Sequence, residues 1–171
     1  IAAFNFENME MAQAIVAAAE ALGAPVILQT TPGTVRYASP ALLAAMARAL
    51  AQEAFVPVAL HLDHGSSVAL AAKALEAGYS SVMIDGSSLP FEQNVDVTRK
   101  VLALAGEVPV EAELGAIGGK EDDLVAGGGL TDPADVEAFL AACPVQSLAV
   151  AIGSAHGIYR QTPRLDVDRL R

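Results

Sequence analysis

The sequence predicts an α/β fold on a parallel sheet, an incomplete (β/α)8 TIM barrel of about six βα units. Short apolar runs rich in Val and Ile recur along the 171 residues, each ending in a polar or Gly-containing tip. Each is followed by a longer Ala/Leu segment with helical spacing. Alternation of this kind builds a parallel sheet, either closed as a barrel or open and doubly wound. An open sheet would typically place a glycine fingerprint after its first strand, and "FENME" contains none, which favours the barrel.

The first strand is expected at 1–6, "IAAFNF", followed by the helix "MEMAQAIVAAAEALG" with Asn8 as N-cap and Gly23 as its stop. The second strand is 25–31, "PVILQTT". After a "PGT" turn, the next helix begins with Ser39 as cap and Pro40 at its first position. The third strand, 56–63, leads into "SSVALAAKALEAG", capped by Ser66 or Ser67. A fourth strand at 80–86 precedes a helix near 91–105, and a fifth at 108–115 runs into the Gly-rich, acidic loop "AIGGKEDDLVAGGG". The helix "TDPADVEAFLAA", capped by Thr131 or Asp132, leads to a sixth strand at 145–155. A closed barrel needs eight strands and about 200 to 250 residues, so strands seven and eight are expected to be absent. The chain then reads as a single barrel domain over 1–171, C-terminally truncated, with "RLDVDRLR" opening a sixth helix.

A net charge of −10 argues against nucleic-acid and anionic-membrane partners, which need clustered Lys and Arg. The single Cys143 excludes an internal disulfide, a CxxC site and a disulfide framework, so a reducing, cytoplasmic compartment is expected. No apolar run approaches the ~18 to 20 residues of a membrane span.

In parallel α/β folds, active sites gather beyond the C-terminal ends of the strands. The expected tips are Asn5, Thr30 and Thr31, Asp63 and His64, Asp85, Glu111 and Glu113, and Ser154 and His156. A polar tip by itself marks the exit of a strand to solvent. Two His, two Asp and two Glu on one rim point instead to a metal or acid–base site. Residues two apart share a strand face, so His61 and Asp63 should point together and His64 oppositely, unless the strand ends before Gly65. His61 reads better as a hydrogen-bonded interior histidine than as a ligand. An open zinc site takes three protein ligands: His64 and His156 supply two, and the third is Glu113 or lies beyond residue 171. Lys73 and Lys100 fall in helices and Lys120 in the acidic loop, so Schiff-base chemistry is disfavoured. The glycines of "GGKEDD" could hinge a lid that carries Glu121 in as an acid or base.

"AFNF", "PVILQTTPGT", "HLDHG", "MIDGSSLPFEQNV", "VEAELGAIGGKEDD", "LTDP" and "SLAVAIGSAHGIY" resemble, in that order, the class II zinc-dependent ketose-bisphosphate aldolases. The likeness spans essentially the whole chain and is strongest to the branch with tagatose-bisphosphate and similar fructose-bisphosphate enzymes. It implies reversible cleavage of tagatose- or fructose-1,6-bisphosphate to dihydroxyacetone phosphate and glyceraldehyde 3-phosphate, with Zn2+ as electrophile. Asp63 would be the acid/base at the C4 oxygen, and His64 and His156 zinc ligands. Gly157 would serve the dihydroxyacetone-phosphate site and a monovalent cation (Na+ or K+), and Glu121 would exchange the proton of the enediolate carbon. Asp85 and Glu113 would orient the site or bind a displaced metal, and Asn5 and Thr31 would face substrate. The family's third zinc histidine and its phosphate site belong to strands seven and eight, and the loop after "KEDD" is shortened. The resemblance also implies a homodimer or homotetramer. Two other readings are a non-catalytic remnant and a metal-dependent hydrolase on the same rim.

Overall fold

The computed structural model describes the backbone of residues 1–115, 117–121, 124–126, 129–159 and 162–171, and the side chains of all of these except 118–121 and 124–126. Its helices start where the sequence supplies caps. The side chains of Asn8, Ser39, Ser67 and Asp132 accept the backbone N–H of Met11, Leu42, Leu70 and Ala134 at 2.9, 3.3, 3.2 and 2.9 Å. These caps open α1 (Met9–Ala21), α3 (Pro40–Glu53), α4 (Val68–Ala77) and α6 (Pro133–Ala142). A further helix, α5, spans Phe91–Ala105. Between them lie β1 (Ala2–Asn5), β2 (Val26–Thr30), β3 (Val58–Gly65), β4 (Ser81–Ile84), β5 (Val110–Leu114) and β8 (Ser147–Val150).

These six strands form one parallel sheet in the order β1-β2-β3-β4-β5-β8. It is the expected incomplete barrel. Along the strands one face turns to the helices. Leu28, Leu60, Leu62, Val82, Ile84 and Val110 pack there against small helix residues such as Ala12, Ala44, Ala71 and Ala74, all buried. Alanine on the helices lets them lie close to the sheet, which is the structural use of the Ala-rich composition. The opposite face carries His61, Glu111 and Glu113, the polar interior of the barrel. At the sheet edge Ala2, Ala3 and Phe4 of β1 are exposed. No helix among the described residues is long and apolar enough to cross a membrane.

Four expectations change. The "PGT" turn is a short helix, α2 (Pro32–Tyr37), because Thr31 and Thr34 form a reciprocal capping box and Pro32 occupies the first turn. The Gly-rich loop contains an antiparallel pair, β6 (Gly118–Glu121) and β7 (Leu124–Ala126). The sixth strand is shorter than 145–155: β8 stops at Val150, Gly153 turns the chain at φ +105°, and β9 (Ala155–His156) joins β6 in a second sheet. A last helix, α7, covers Val167–Leu170, in the "RLDVDRLR" segment.

The fourth change concerns β3, which does not end before Gly65. Leu62 pairs with Val82 and Gly65 with Ile84, so β3 spends one extra residue against β4, a bulge. His64 takes φ +47° within it, the left-handed region. Gly65 is required here, since a Cβ would run into the Met83 carbonyl oxygen of β4. Gly65→Ala is therefore expected to separate β3 from β4 and to destabilise the fold by about 2–4 kcal/mol, at the upper end for point substitutions. Chemical denaturation measures it, and a loss under about 0.5 kcal/mol would show that the strands tolerate the methyl.

Candidate metal and catalytic centre

The bulge resolves the parity problem of "HLDHG". Leu60 and Leu62 face the helices while His61 and Asp63 alternate with them toward the barrel interior. Strict alternation would then turn His64 outward. The left-handed backbone brings its ring back to the rim, where Nδ1 lies 2.9 Å from Asp85 Oδ2 and 3.6 Å from Glu113 Oε2. The Gly65 carbonyl also accepts the Asp85 N–H at 3.0 Å, which seats Asp85 beside the histidine just beyond β4. His156 arrives from another direction. Its strand, β9, pairs parallel with β6 through Gly119, and the ring meets His64 edge-on with centroids 5.2 Å apart.

Ligand atoms of His64, Asp85 and Glu113 all lie within 4.8 Å of one another. Burial alone would raise the Asp85 pKa, but hydrogen bonds from His64 and from the Ser87 hydroxyl and N–H outweigh it and hold the carboxylate below its ordinary value. Ser87 donates to Asp85 Oδ1 from Oγ at 2.7 Å and from N at 3.0 Å. Glu113 is opposite in character. Burial first, and the nearby Asp85 charge second, push its carboxyl up to about 7. Its Oε2 is buried and is the one such side-chain oxygen without a hydrogen-bond partner among the described residues. An orphaned carboxylate oxygen facing an imidazole and a second carboxylate suits a divalent cation, and imidazole with carboxylate is an ordinary zinc donor set.

Because the fold favours the neutral form of Glu113, the carboxyl contributes stability below pH 4.5 that is lost as pH rises toward about 7. Asp85 titrates below 3.8, outside that window, whereas His61, whose pKa burial lowers, acts in the opposite sense. The difference between wild type and Glu113→Gln isolates the carboxylate. In metal-free protein the variant is expected to be on the order of 1–2 kcal/mol more stable at pH 8, after allowance for solvent screening, with no gain at pH 4.5. Thermal melts at the two pH values measure this, and a gain independent of pH would contradict the burial of the charge.

The structure thus brings His64, Asp85, Glu113 and His156 together, with Asp63 half-buried beside His64. Asn5 closes β1, in register with Gln29. Thr31 is buried, and its hydroxyl caps α2 by accepting the Thr34 N–H at 3.3 Å. Gly157 follows β9 with φ +88°. Glu121 is the last residue of β6, and its side chain lies outside the described residues. Sequence reasoning missed Ser87 and Asn94. Asn94 is buried on α5 and donates from Nδ2 to the Glu113 carbonyl at 2.8 Å, fixing the backbone behind the carboxylate. Its signal was present: Asn94 and Thr98 stand four apart in the buried stripe with Val101 and Ala105.

The family description "Fructose-bisphosphate aldolase class-II" matches residues 1–171. The chain belongs to this family. A fructose-bisphosphate aldolase from Treponema pallidum (strain Nichols) is 46% identical over 173 residues, covering 95% of the chain and 52% of the relative. A relative from Bacillus subtilis (strain 168) is 48% identical over 168 residues, covering 95% and 59%. The chain thus spans little more than half the length of these curated relatives. Among solved structures, the YdjI aldolase from Escherichia coli K12 superposes with a TM-score of 0.87 at 35% identity, over 99% of the chain and 61% of that structure. One from Coccidioides immitis gives 0.90 at 35%, over 99% and 62%. For a class II aldolase-family chain, the cluster at the barrel rim lies where this fold carries its chemistry.

Proposed function

We propose that the chain supplies metal-binding and acid–base residues for reversible aldol cleavage of a ketose 1,6-bisphosphate to dihydroxyacetone phosphate and glyceraldehyde 3-phosphate. The observation that carries this is the His64–Asp85–Glu113 cluster with its orphaned carboxylate oxygen. Fructose 1,6-bisphosphate is the favoured substrate, because the family description and the Treponema pallidum relative bear that name. Tagatose 1,6-bisphosphate, which differs only at C4, is the alternative. Family membership supports aldol chemistry over the hydrolase reading.

His64 and His156 would hold zinc, with Glu113 or Asp85 as a carboxylate donor. Bound zinc supplies Lewis-acid polarisation of the ketose carbonyl. Asp63 accepts the proton of the C4 hydroxyl as the C3–C4 bond breaks, so that C4 leaves as the aldehyde of glyceraldehyde 3-phosphate. Glu121 returns a proton to the carbon left by the cleavage, which completes dihydroxyacetone phosphate. Asn5, Thr31 and Gly157 line the substrate side, with a monovalent cation near Gly157. The working protein is a cytoplasmic homodimer or homotetramer. A buried, unpaired Cys143 is compatible with a reducing compartment.

A coupled assay of the full-length gene product tests the reading. Cleavage of fructose 1,6-bisphosphate is expected to disappear on chelation and return with Zn2+. Cleavage that survives complete removal of metal would overturn the mechanism.

A further inference from the structure

One titratable pair in the barrel interior, a buried histidine and a half-buried glutamate, has no part in the chemistry above. His61 on β3 and Glu111 on β5 reach across the barrel interior past β4, with Nε2 3.5 Å from Oε2. Each is tethered at its far side. Ser81 of β4 lies 2.8 Å from His61 Nδ1, and Ser147 of β8 hydrogen-bonds Glu111. Four neighbouring strands are therefore linked by side chains at one level. That level sits one pleat step, roughly 7 Å, beneath the rim, since His61 precedes Asp63 by two residues on the same face and Glu111 precedes Glu113 likewise.

Barrel interiors are ordinarily filled with Val, Ile and Leu. An ionisable pair withdrawn from water is often no more stabilising than apolar residues of its size, so the pair is weak evidence of a stabilising role. We propose that His61 and Glu111 are positioning residues that keep the Asp63 carboxylate raised toward the rim for proton transfer. His61 and its Ser81 contact hold Glu111 in place, and the Glu111 carboxylate beneath repels that of Asp63, closing the interior to it. The Asp63 charge acts on both members of the pair, raising the pKa of each against or alongside the dominant effect of burial. This inference rests on the proposed role of Asp63, so its test reads position and rate separately.

The His61→Leu/Glu111→Leu double variant of the zinc-loaded, full-length protein is compared with wild type by crystallography and steady-state kinetics. The Asp63 carboxylate is expected to move by about 1 Å or more, and kcat to fall about a hundredfold with KM and bound zinc unchanged. An unmoved carboxylate overturns the proposal, as does a moved one with wild-type kcat, or a loss of zinc, which would tie the pair to the metal instead. If wild type itself lacks aldolase activity the function proposed above falls, and the position of Asp63 still decides whether the pair holds it. Should the double variant fail to fold, Glu111→Gln removes the charge at constant size and is read the same way.

Discussion

Replacing Asp63 by asparagine is expected to lower kcat for fructose 1,6-bisphosphate cleavage about a thousandfold, within the range for a positioned acid–base group. Asparagine keeps the size of the side chain but cannot take up the C4 hydroxyl proton. The neighbouring cluster should be undisturbed, because His64 keeps its contacts to Asp85 and Glu113. KM and zinc content should accordingly stay near wild type. A fall in kcat matched by loss of zinc would place Asp63 among the metal ligands, and an unchanged kcat would remove it from the reaction.

His64→Asn has the other large expected effect, on metal. Asparagine is among the few residues that enter the left-handed region readily, so it fits the φ of +47° better than most replacements. The imidazole is lost with it, and zinc affinity should fall by more than the roughly 10- to 100-fold typical of an outer-shell change. The metal-free fold should survive, because relief of backbone strain offsets the lost bond to Asp85, each being worth about 1 kcal/mol. His64→Val should instead destabilise the fold, since a β-branched residue resists that conformation. Competition titration against a chelator, with a thermal melt, reads both. Wild-type zinc affinity in His64→Asn would exclude His64 from the centre.

The βα alternation was legible because its signals are local. Cap residues, period-2 and period-3.6 apolar spacing and short connections each act within a few residues, and Asn8, Ser39 and Asp132 start helices as read. The site was harder where it depends on partners distant in sequence. "HLDHG" displays its donors, but the bulge that turns His64 inward arises from pairing with β4, and within the pentapeptide only Gly65 hints at it. Likewise "GGKE" looks like a loop because its strand exists only through β7 and, beyond it, Ala155 and His156. The short α2 was missed for a different reason. Gly33 reads as a turn, yet Thr31 and Thr34, three apart around Pro32, are a helix-start pattern that outweighs a single glycine.

The pairing order of the large sheet bears on how the molecule is made. Every strand from β1 to β5 pairs with its immediate neighbours in sequence, and β8 then joins at β5. A chain growing from its N-terminus can therefore lay each new strand on one already formed, with only a single crossover loop to close at each step. The exception is β9, which must return to β6 to bring in His156. Of the clustered side chains, His156 thus joins after Asp85 and Glu113, on a frame that already holds both in place.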